Sequence, residues 1–83
     1  MDEIYFVENT QETEEGRAQD VVRIEGRENA LSTYHSVCAS NYAAAADGTL
    51  KSFAVAFQNA KLYPELRESW NEPEPAPEPN EEA

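Results

Sequence analysis

The chain has 83 residues and a net charge of −11, from 17 acidic side chains against 6 lysines and arginines. This length leaves room for one small domain. The acidic excess argues against binding to nucleic-acid phosphates and against attraction to an anionic membrane surface. The single cysteine, Cys38, cannot form an internal disulfide, and no second Cys or His lies at a metal-ligand spacing. We therefore expect no metal and no cofactor.

The N-terminus begins Met1-Asp2-Glu3, without the positive segment and apolar run of a signal peptide. No apolar stretch approaches the length of a membrane span. We therefore expect a cytoplasmic protein. The acids concentrate in residues 1–28 and in the last residues of the chain, where they serve either to meet a basic partner or only to keep the protein soluble.

Two strands are predicted in the first third of the chain. The apolar run Ile-Tyr-Phe-Val at residues 4–7 favours a first strand, and residues 21–25 favour a second, because Val22 and Ile24 share one face. Residues 8–20 between them are polar and acidic, which is typical of a loop or a wide hairpin turn.

A helix is predicted from Arg27 onward, because the apolar spacing changes to three and four residues. One stripe results: Ala30, Leu31, Tyr34, Val37, Cys38, Asn41, Tyr42 and Ala45. Asp47-Gly48 ends it, since a glycine suits the left-handed position after a helix.

Residues 53–57, Phe-Ala-Val-Ala-Phe, give the clearest strand pattern, with large side chains on one face and alanines on the other. Residues 62–70 form the last predicted strand, with Pro64 at a sheet edge or before regular pairing begins, because it lacks an N–H. The proline- and glutamate-rich residues 71–83 are predicted to be a disordered tail. The sum is one α+β domain over residues 1–70, β-β-α-β-β, with an antiparallel sheet of three or four strands and one helix packed across it.

Catalytic signals are weak. His35 and Cys38 lie one helical turn apart, so a Cys–His pair is conceivable, but neighbours on one turn rarely have the aligned geometry that such a pair needs. We interpret Cys38 as a core residue and His35 as a partly exposed residue at the border of the stripe. No calcium loop or phosphate-binding glycine loop is present. The sequence therefore favours a protein that is not an enzyme.

Aromatic residues are numerous for so small a domain: Tyr5, Phe6, Tyr34, Tyr42, Phe53, Phe57, Tyr63 and Trp70. About half would fill one core, and we expect the others on the second sheet face, which a single helix leaves open. An open aromatic face favours self-association or partner binding. The alternative is that loops and chain ends cover it.

The pattern Ala30-x3-Tyr34-His35-x2-Cys38-Ala39 is followed by an alternating Ala-Val strand and by Arg67-Glu68-x-Trp70 before a Pro-Glu tail. It resembles small proteins of unassigned function encoded by tailed phages and prophages of Gram-positive gut bacteria. The resemblance covers residues 27–79, and the chain departs from it at residues 8–20 and at Pro64. It implies a phage-encoded accessory protein and carries no catalytic residues with it.

These observations favour a small acidic protein of a phage or mobile element that binds a host protein, including a component of a defence system that it would inhibit. The candidate contact residues are Glu12, Glu14 and Glu15 for charge, and Tyr34, His35, Tyr42 and Trp70 for the packed centre. Two alternatives stay open. One is a minor virion or assembly protein that self-associates through the sheet face. The other is a sponge for a small nucleotide, with phosphate held across a subunit boundary by Arg23, Arg27, Lys51 or Arg67.

Overall fold

The computed structural model describes residues 3–73, which form a four-stranded antiparallel sheet covered on one face by a helix. The elements are β1 (Ile4–Thr13), β2 (Gly16–Glu25), α1 (Arg27–Ala46), β3 (Ser52–Gln58) and β4 (Pro64–Asn71). The strand order across the sheet is β2-β1-β3-β4. The predicted α+β order β-β-α-β-β is confirmed. Residues 74–83, most of the predicted tail, lie outside the described residues.

The first hairpin is longer than predicted, and the loop expected at residues 8–20 is wrong. β1 and β2 pair without interruption from Ile4 opposite Glu25 to Thr13 opposite Gly16. The turn holds only Glu14 and Glu15, and Gly16 follows it at φ +139°, a backbone conformation that glycine adopts readily. β1 pairs with β3 on its other side, so its backbone groups are satisfied whatever its side chains are. A polar strand therefore forms without an apolar alternation.

The core lies between the helix and one face of the sheet. Alternating side chains of β1 and β3 are buried there, and α1 contributes Ala30, Tyr34, Cys38 and Asn41 from the predicted stripe. The cluster of buried apolar residues is Tyr5, Val7, Ala30, Tyr34, Cys38, Leu50, Phe53, Val55 and Phe57. The predicted helix and the predicted strand at residues 53–57 are confirmed.

Phe57 is the centre of the aromatic packing. Its ring stacks on Tyr5 with centroids 5.0 Å apart, and Tyr34 of the helix meets it edge-on at 6.1 Å. The Arg27 guanidinium lies 5.3 Å above the same ring and donates a hydrogen bond to Glu65 at 2.6 Å. β1, the start of the helix and both strands of the second hairpin therefore meet at one side chain.

The expectation that several aromatics occupy the open sheet face is wrong. The strand register puts Phe53, Phe57, Tyr5 and Trp70 on the covered face, because residues directly opposite one another in antiparallel strands share a face. Of the eight aromatic side chains, Phe6 alone projects from the open face by the alternation of β1. Small residues of β3, Ala54 and Ala56, take the centre of that face.

Truncating Phe57 should destabilise the domain far more than truncating an exposed aromatic. We expect Phe57→Ala to lower the free energy of unfolding by about 3–5 kcal/mol, because it leaves a cavity that three neighbouring groups cannot fill. Tyr63→Ala is the matched control, since Tyr63 is 64% exposed. Urea denaturation of both variants measures the difference, and equal midpoints would contradict the assignment of Phe57 as the core centre.

Candidate partner-binding surface

The structure does not bring a catalytic pair together at His35 and Cys38. Cys38 is buried under the helix, and burial raises the pKa of its thiol, with Tyr34 as a hydrogen-bonding neighbour that acts in the opposite direction. His35 is exposed and meets the Tyr34 ring edge-on, with centroids 5.3 Å apart. A protonated, buried thiol is a poor nucleophile, so the observed arrangement suits packing and not covalent chemistry.

Most of the sequence-predicted contact residues lie at one end of the sheet. Glu12 is opposite Ser52, and Ser52 is opposite Asn71, so the Glu14-Glu15 turn and Trp70 lie at the same end. Tyr42 reaches this end from α1, where its ring meets Phe53 edge-on at 5.0 Å. We call this the hairpin end, defined by Glu12, Glu14, Glu15, Tyr42 and Trp70. It combines acidic side chains with two partly exposed aromatics.

Tyr34 and His35 lie apart from the hairpin end, nearer the start of the helix. Tyr34 is buried, so it offers a partner little surface, whereas His35 is exposed. Burial, and after it a hydrogen bond with the Glu68 side chain, raises the pKa of the Tyr42 hydroxyl. The structure therefore groups five of the seven predicted residues and leaves two elsewhere.

The basic residues proposed for phosphate do not share a site within one chain. Arg27 is bonded to Glu65, and Arg23 lies 3.6 Å from Glu25. Arg67 instead lines a groove on the open face together with Arg17, above a floor formed partly by Ala54. Glu8 and Glu12 also line this face, so its charge is mixed. The two glutamates offset the two arginines, so the groove has no net positive charge to attract a nucleotide phosphate.

A polar network holds the helix over β1. Asn41 is 2% exposed; its amide donates to Asn9 Oδ1 at 2.9 Å, and its own Oδ1 accepts from Gln11 Nε2 at 2.7 Å. It borders a shallow depression beside the serines of α1. Within residues 3–73, no buried side-chain nitrogen or oxygen lacks a hydrogen-bond partner. The network is therefore complete without a ligand, and it fixes the helix position.

Hydrogen bonds fix the turn between β3 and β4, which was predicted at residues 58–61 and in the structure extends through Tyr63. The Asn59 side-chain oxygen accepts from the backbone N–H groups of Lys61 and Tyr63, at 2.9 and 3.1 Å. The Leu62 N–H donates to the Asn59 carbonyl at 2.8 Å, and the Asn59 N–H donates to the Tyr63 carbonyl at 3.0 Å. These bonds hold Leu62 at φ +67°, the left-handed region that a leucine avoids.

This turn exposes the most accessible large apolar side chains of the described chain, Tyr63 at 64% and Leu62 at 57%. Beside them lies an apolar depression of about 430 Å³, to which Ile4, Ala60 and Tyr63 contribute the apolar walls. We call Ile4, Ala60, Leu62 and Tyr63 the turn patch. Glu3 and Lys61 border it. It lies at the opposite end of the sheet from the hairpin end, because Gln58 is opposite Phe6.

One signal for the turn patch was present in the sequence. Pro64 supplies no N–H for strand pairing, so regular pairing of a strand starting at residue 62 was weakly supported. The predicted strand in fact begins at Pro64, next to an irregularity in its pairing with Phe57 and Gln58. Pro64 lies in the edge strand β4, as predicted. Leu62 and Tyr63 thus belong to the turn and not to the strand.

No protein-family model, curated protein or solved structure matches this chain. Within residues 3–73, α1 is the one helix, and it is not apolar enough to cross a membrane. Residues 3–73 also contain no group of three or more His, Cys, Asp or Glu side chains placed to hold a metal ion.

The buried thiol of Cys38 should react slowly while the domain is folded. We expect native Cys38 to react with a disulfide reagent such as Ellman's roughly tenfold or more slowly than the urea-unfolded chain, because burial blocks access and keeps the thiol protonated. His35→Ala should leave this rate unchanged. A fast native reaction that His35→Ala slows would restore the Cys–His pair as a functional dyad.

Tyr34 should make stability fall at high pH. Burial raises the pKa of Tyr34 to about 12, with smaller contributions from Cys38, whereas the unfolded phenol titrates near 10. The stabilisation is therefore complete below pH 10 and is lost as the pH rises through 12, by about 3 kcal/mol in total. Denaturation across this window measures it. Tyr34→Phe is the control, and an identical loss in that variant would exclude Tyr34 as the source.

Proposed function

We propose that this chain is a non-enzymatic binding protein whose turn patch docks onto a protein partner. The observation that carries the proposal is Leu62, held by Asn59 at φ +67° with its side chain 57% exposed. A left-handed leucine costs about 1–2 kcal/mol, and an exposed leucine returns little of this through burial. Backbone strain that folding does not need is typical of functional segments.

The chemistry of the turn patch fits a protein surface. An aromatic and an aliphatic side chain project side by side from the turn. Four hydrogen bonds already fix the backbone of this turn. Rigid aromatic anchors are typical of the residues that dominate binding energy, and prior order lowers the entropy lost on association. Glu3 and Lys61 supply a polar rim around the apolar centre. The turn patch therefore has the anatomy of a small contact site.

The acidic hairpin end supports a second, electrostatic part of the same proposal. Glu14 and Glu15 are exposed at the tip of the first hairpin, and the whole chain carries a charge of −11. Such a field speeds encounter with a basic partner and adds less to the lifetime of the complex. We therefore assign steering to Glu12, Glu14 and Glu15, and the lasting contact to Leu62 and Tyr63.

The identity of the partner is part of the proposal as well. The resemblance to phage and prophage proteins supports a host protein of the bacterial cytoplasm as the partner. Such partners include a component of a defence system, which binding would inhibit. The small size, the acidic charge and the absence of a paired catalytic thiol in residues 3–73 are consistent with an accessory protein that acts by binding. The biochemical activity is then occlusion of a surface of the partner.

Two turn variants should separate binding from folding. The tagged protein first captures its partner from a bacterial lysate, and mass spectrometry identifies it. Tyr63→Ala should then weaken binding roughly thirtyfold, the effect of losing about 2 kcal/mol at a binding hot spot. Leu62→Gly should weaken binding too, yet raise the free energy of unfolding by about 1 kcal/mol, since glycine accepts the left-handed backbone without strain.

Charge reversal at the hairpin end is the matched control. Glu14→Lys combined with Glu15→Lys should slow association and leave the dissociation rate nearly unchanged, without unfolding the domain. Surface plasmon resonance with the purified partner distinguishes the two sets of variants. Full affinity in both Tyr63→Ala and Leu62→Gly would refute the turn patch, and unchanged association in the charge-reversed variant would refute steering.

A further inference from the structure

β2 is an unprotected edge of the sheet. It pairs with β1 on one side, and within residues 3–73 no strand pairs with its other side. Its residues from Gly16 to Arg23 are exposed on both faces, including Val21 at 54% and Val22 at 46%. It contains no proline and no lysine. Natural proteins usually cover or block so long an edge, because its free backbone groups pair readily with another strand.

The other edge differs from β2. β4 begins at Pro64, which offers no N–H, and its pairing with β3 shifts register at Phe57 and Gln58. Both features interrupt the regular row of hydrogen-bonding groups that a docking strand would need. β2 is thus the edge on which regular pairing can extend over most of the strand.

The direction of the free groups on β2 follows from its pairing with β1. The Gly26 N–H donates to the Glu3 carbonyl at 2.8 Å, so these two residues form a hydrogen-bonded pair of the ladder. Hydrogen-bonded and non-hydrogen-bonded pairs alternate along antiparallel strands. The N–H and C=O groups of the even-numbered residues of β2 therefore bond to β1. The N–H and C=O groups of Arg17, Gln19, Val21 and Arg23 therefore point outward from the sheet.

We propose that β2 pairs antiparallel with β2 of a second copy of this chain, about a two-fold axis at Val21. The two sheets become continuous, with both helices on the same side. Val21 faces its own copy, Gln19 faces Arg23 of the second copy, and about six backbone hydrogen bonds form between these residues. This self-association uses none of the residues of the turn patch and does not depend on the proposed function.

Charge favours this register over the two adjacent registers, which have their axes at Asp20 and at Val22. With the axis at Val21, Arg17 lies opposite Glu25 of the second copy, and the pair occurs twice. With the axis at Asp20, Arg17 would face Arg23 and Asp20 would face itself. With the axis at Val22, Arg17 would lie beyond the end of the partner strand, opposite the start of its helix, and the pair with Glu25 would be lost. Opposite charges across strands stabilise a sheet and like charges destabilise it, so the Val21 register is favoured.

The charge of the whole chain does not oppose this contact locally. β2 carries Arg17 and Arg23 against Asp20 and Glu25, so the strand is neutral in a chain of −11. The acids of the hairpin end lie at the tip, away from the centre of β2. Pairing would also cover both exposed valines, because Val21 lies opposite Val21 of the second copy and Val22 lies diagonally across from Val22 of the second copy. An edge with no net charge, two exposed valines at its centre and self-complementary charges fits a second copy better than a strand of one charge sign.

Sedimentation equilibrium of the full chain tests the dimer with two kinds of variant. Val21→Pro removes an outward N–H and leaves the ladder with β1 intact, so we expect a folded monomer. Arg17→Glu should raise the dimer dissociation constant roughly tenfold, because it turns two opposite-charge pairs into like-charge pairs. The charge swap, Arg17→Glu with Glu25→Arg, should restore the wild-type value, which a defect within one chain would not allow.

Direct contact is measurable in a sample mixed from differently labelled chains. The register places Asp20 opposite Val22 of the second copy as a non-hydrogen-bonded pair, in which the backbones are closest. We expect an intermolecular nuclear Overhauser effect between their Hα protons. A wild-type monomer at millimolar concentration, or a dimer that Val21→Pro leaves intact, would overturn the proposal. A swap that fails to restore the dimer would overturn the register.

Discussion

The packing around Phe57 is the interaction on which the other features of this domain depend. Its ring is fully buried between Tyr5 from β1, Tyr34 from α1 and the Arg27 guanidinium at the helix start. Arg27 also holds Glu65 at the start of β4. One side chain therefore joins both hairpins to the helix. Small domains bury a limited fraction of their surface, so a core this concentrated sets the position of every element around it.

A core on one side of the sheet determines where function can lie. Apart from Ile4 and Phe6, the large apolar side chains of β1 and β3 point toward α1, and Ala54, Ala56 and a mixture of charges take the centre of the open face. Arg17 and Arg67 share that face with Glu8 and Glu12, so no net positive charge remains there to attract a phosphate. The most exposed large apolar side chains of the described residues lie at the turn, Leu62 and Tyr63, and along the β2 edge, Val21 and Val22. Turns and edges are the places where the chain departs from regular two-sided pairing.

The sequence predicted the elements whose side chains alternate with a clear period. The apolar stripe of α1 and the Phe-Ala-Val-Ala-Phe pattern of β3 have a clear period because their apolar side chains are buried against each other, so both elements were identified. The distal part of the first hairpin has no such period, because its residues pair through the backbone and meet water or Asn41. The turn patch escaped prediction because Leu62 and Tyr63 are typical strand residues, and their conformation comes from hydrogen bonds to Asn59. The outward groups of β2 depend on register, which sequence spacing does not reveal.

The two surfaces have a geometric relation that bears on how such a protein would act. The turn patch lies near Ile4, at the end of the sheet where β2 finishes, and the hairpin end lies at the other. Antiparallel pairing of two β2 strands sets the Ile4 end of one copy beside the hairpin end of the next. The two turn patches then lie at opposite ends of the dimer, so they would bridge two partner molecules and not grip one twice. Each patch would also be flanked by the acidic hairpin end of the other copy, which places the steering charge of one chain next to the contact residues of its companion.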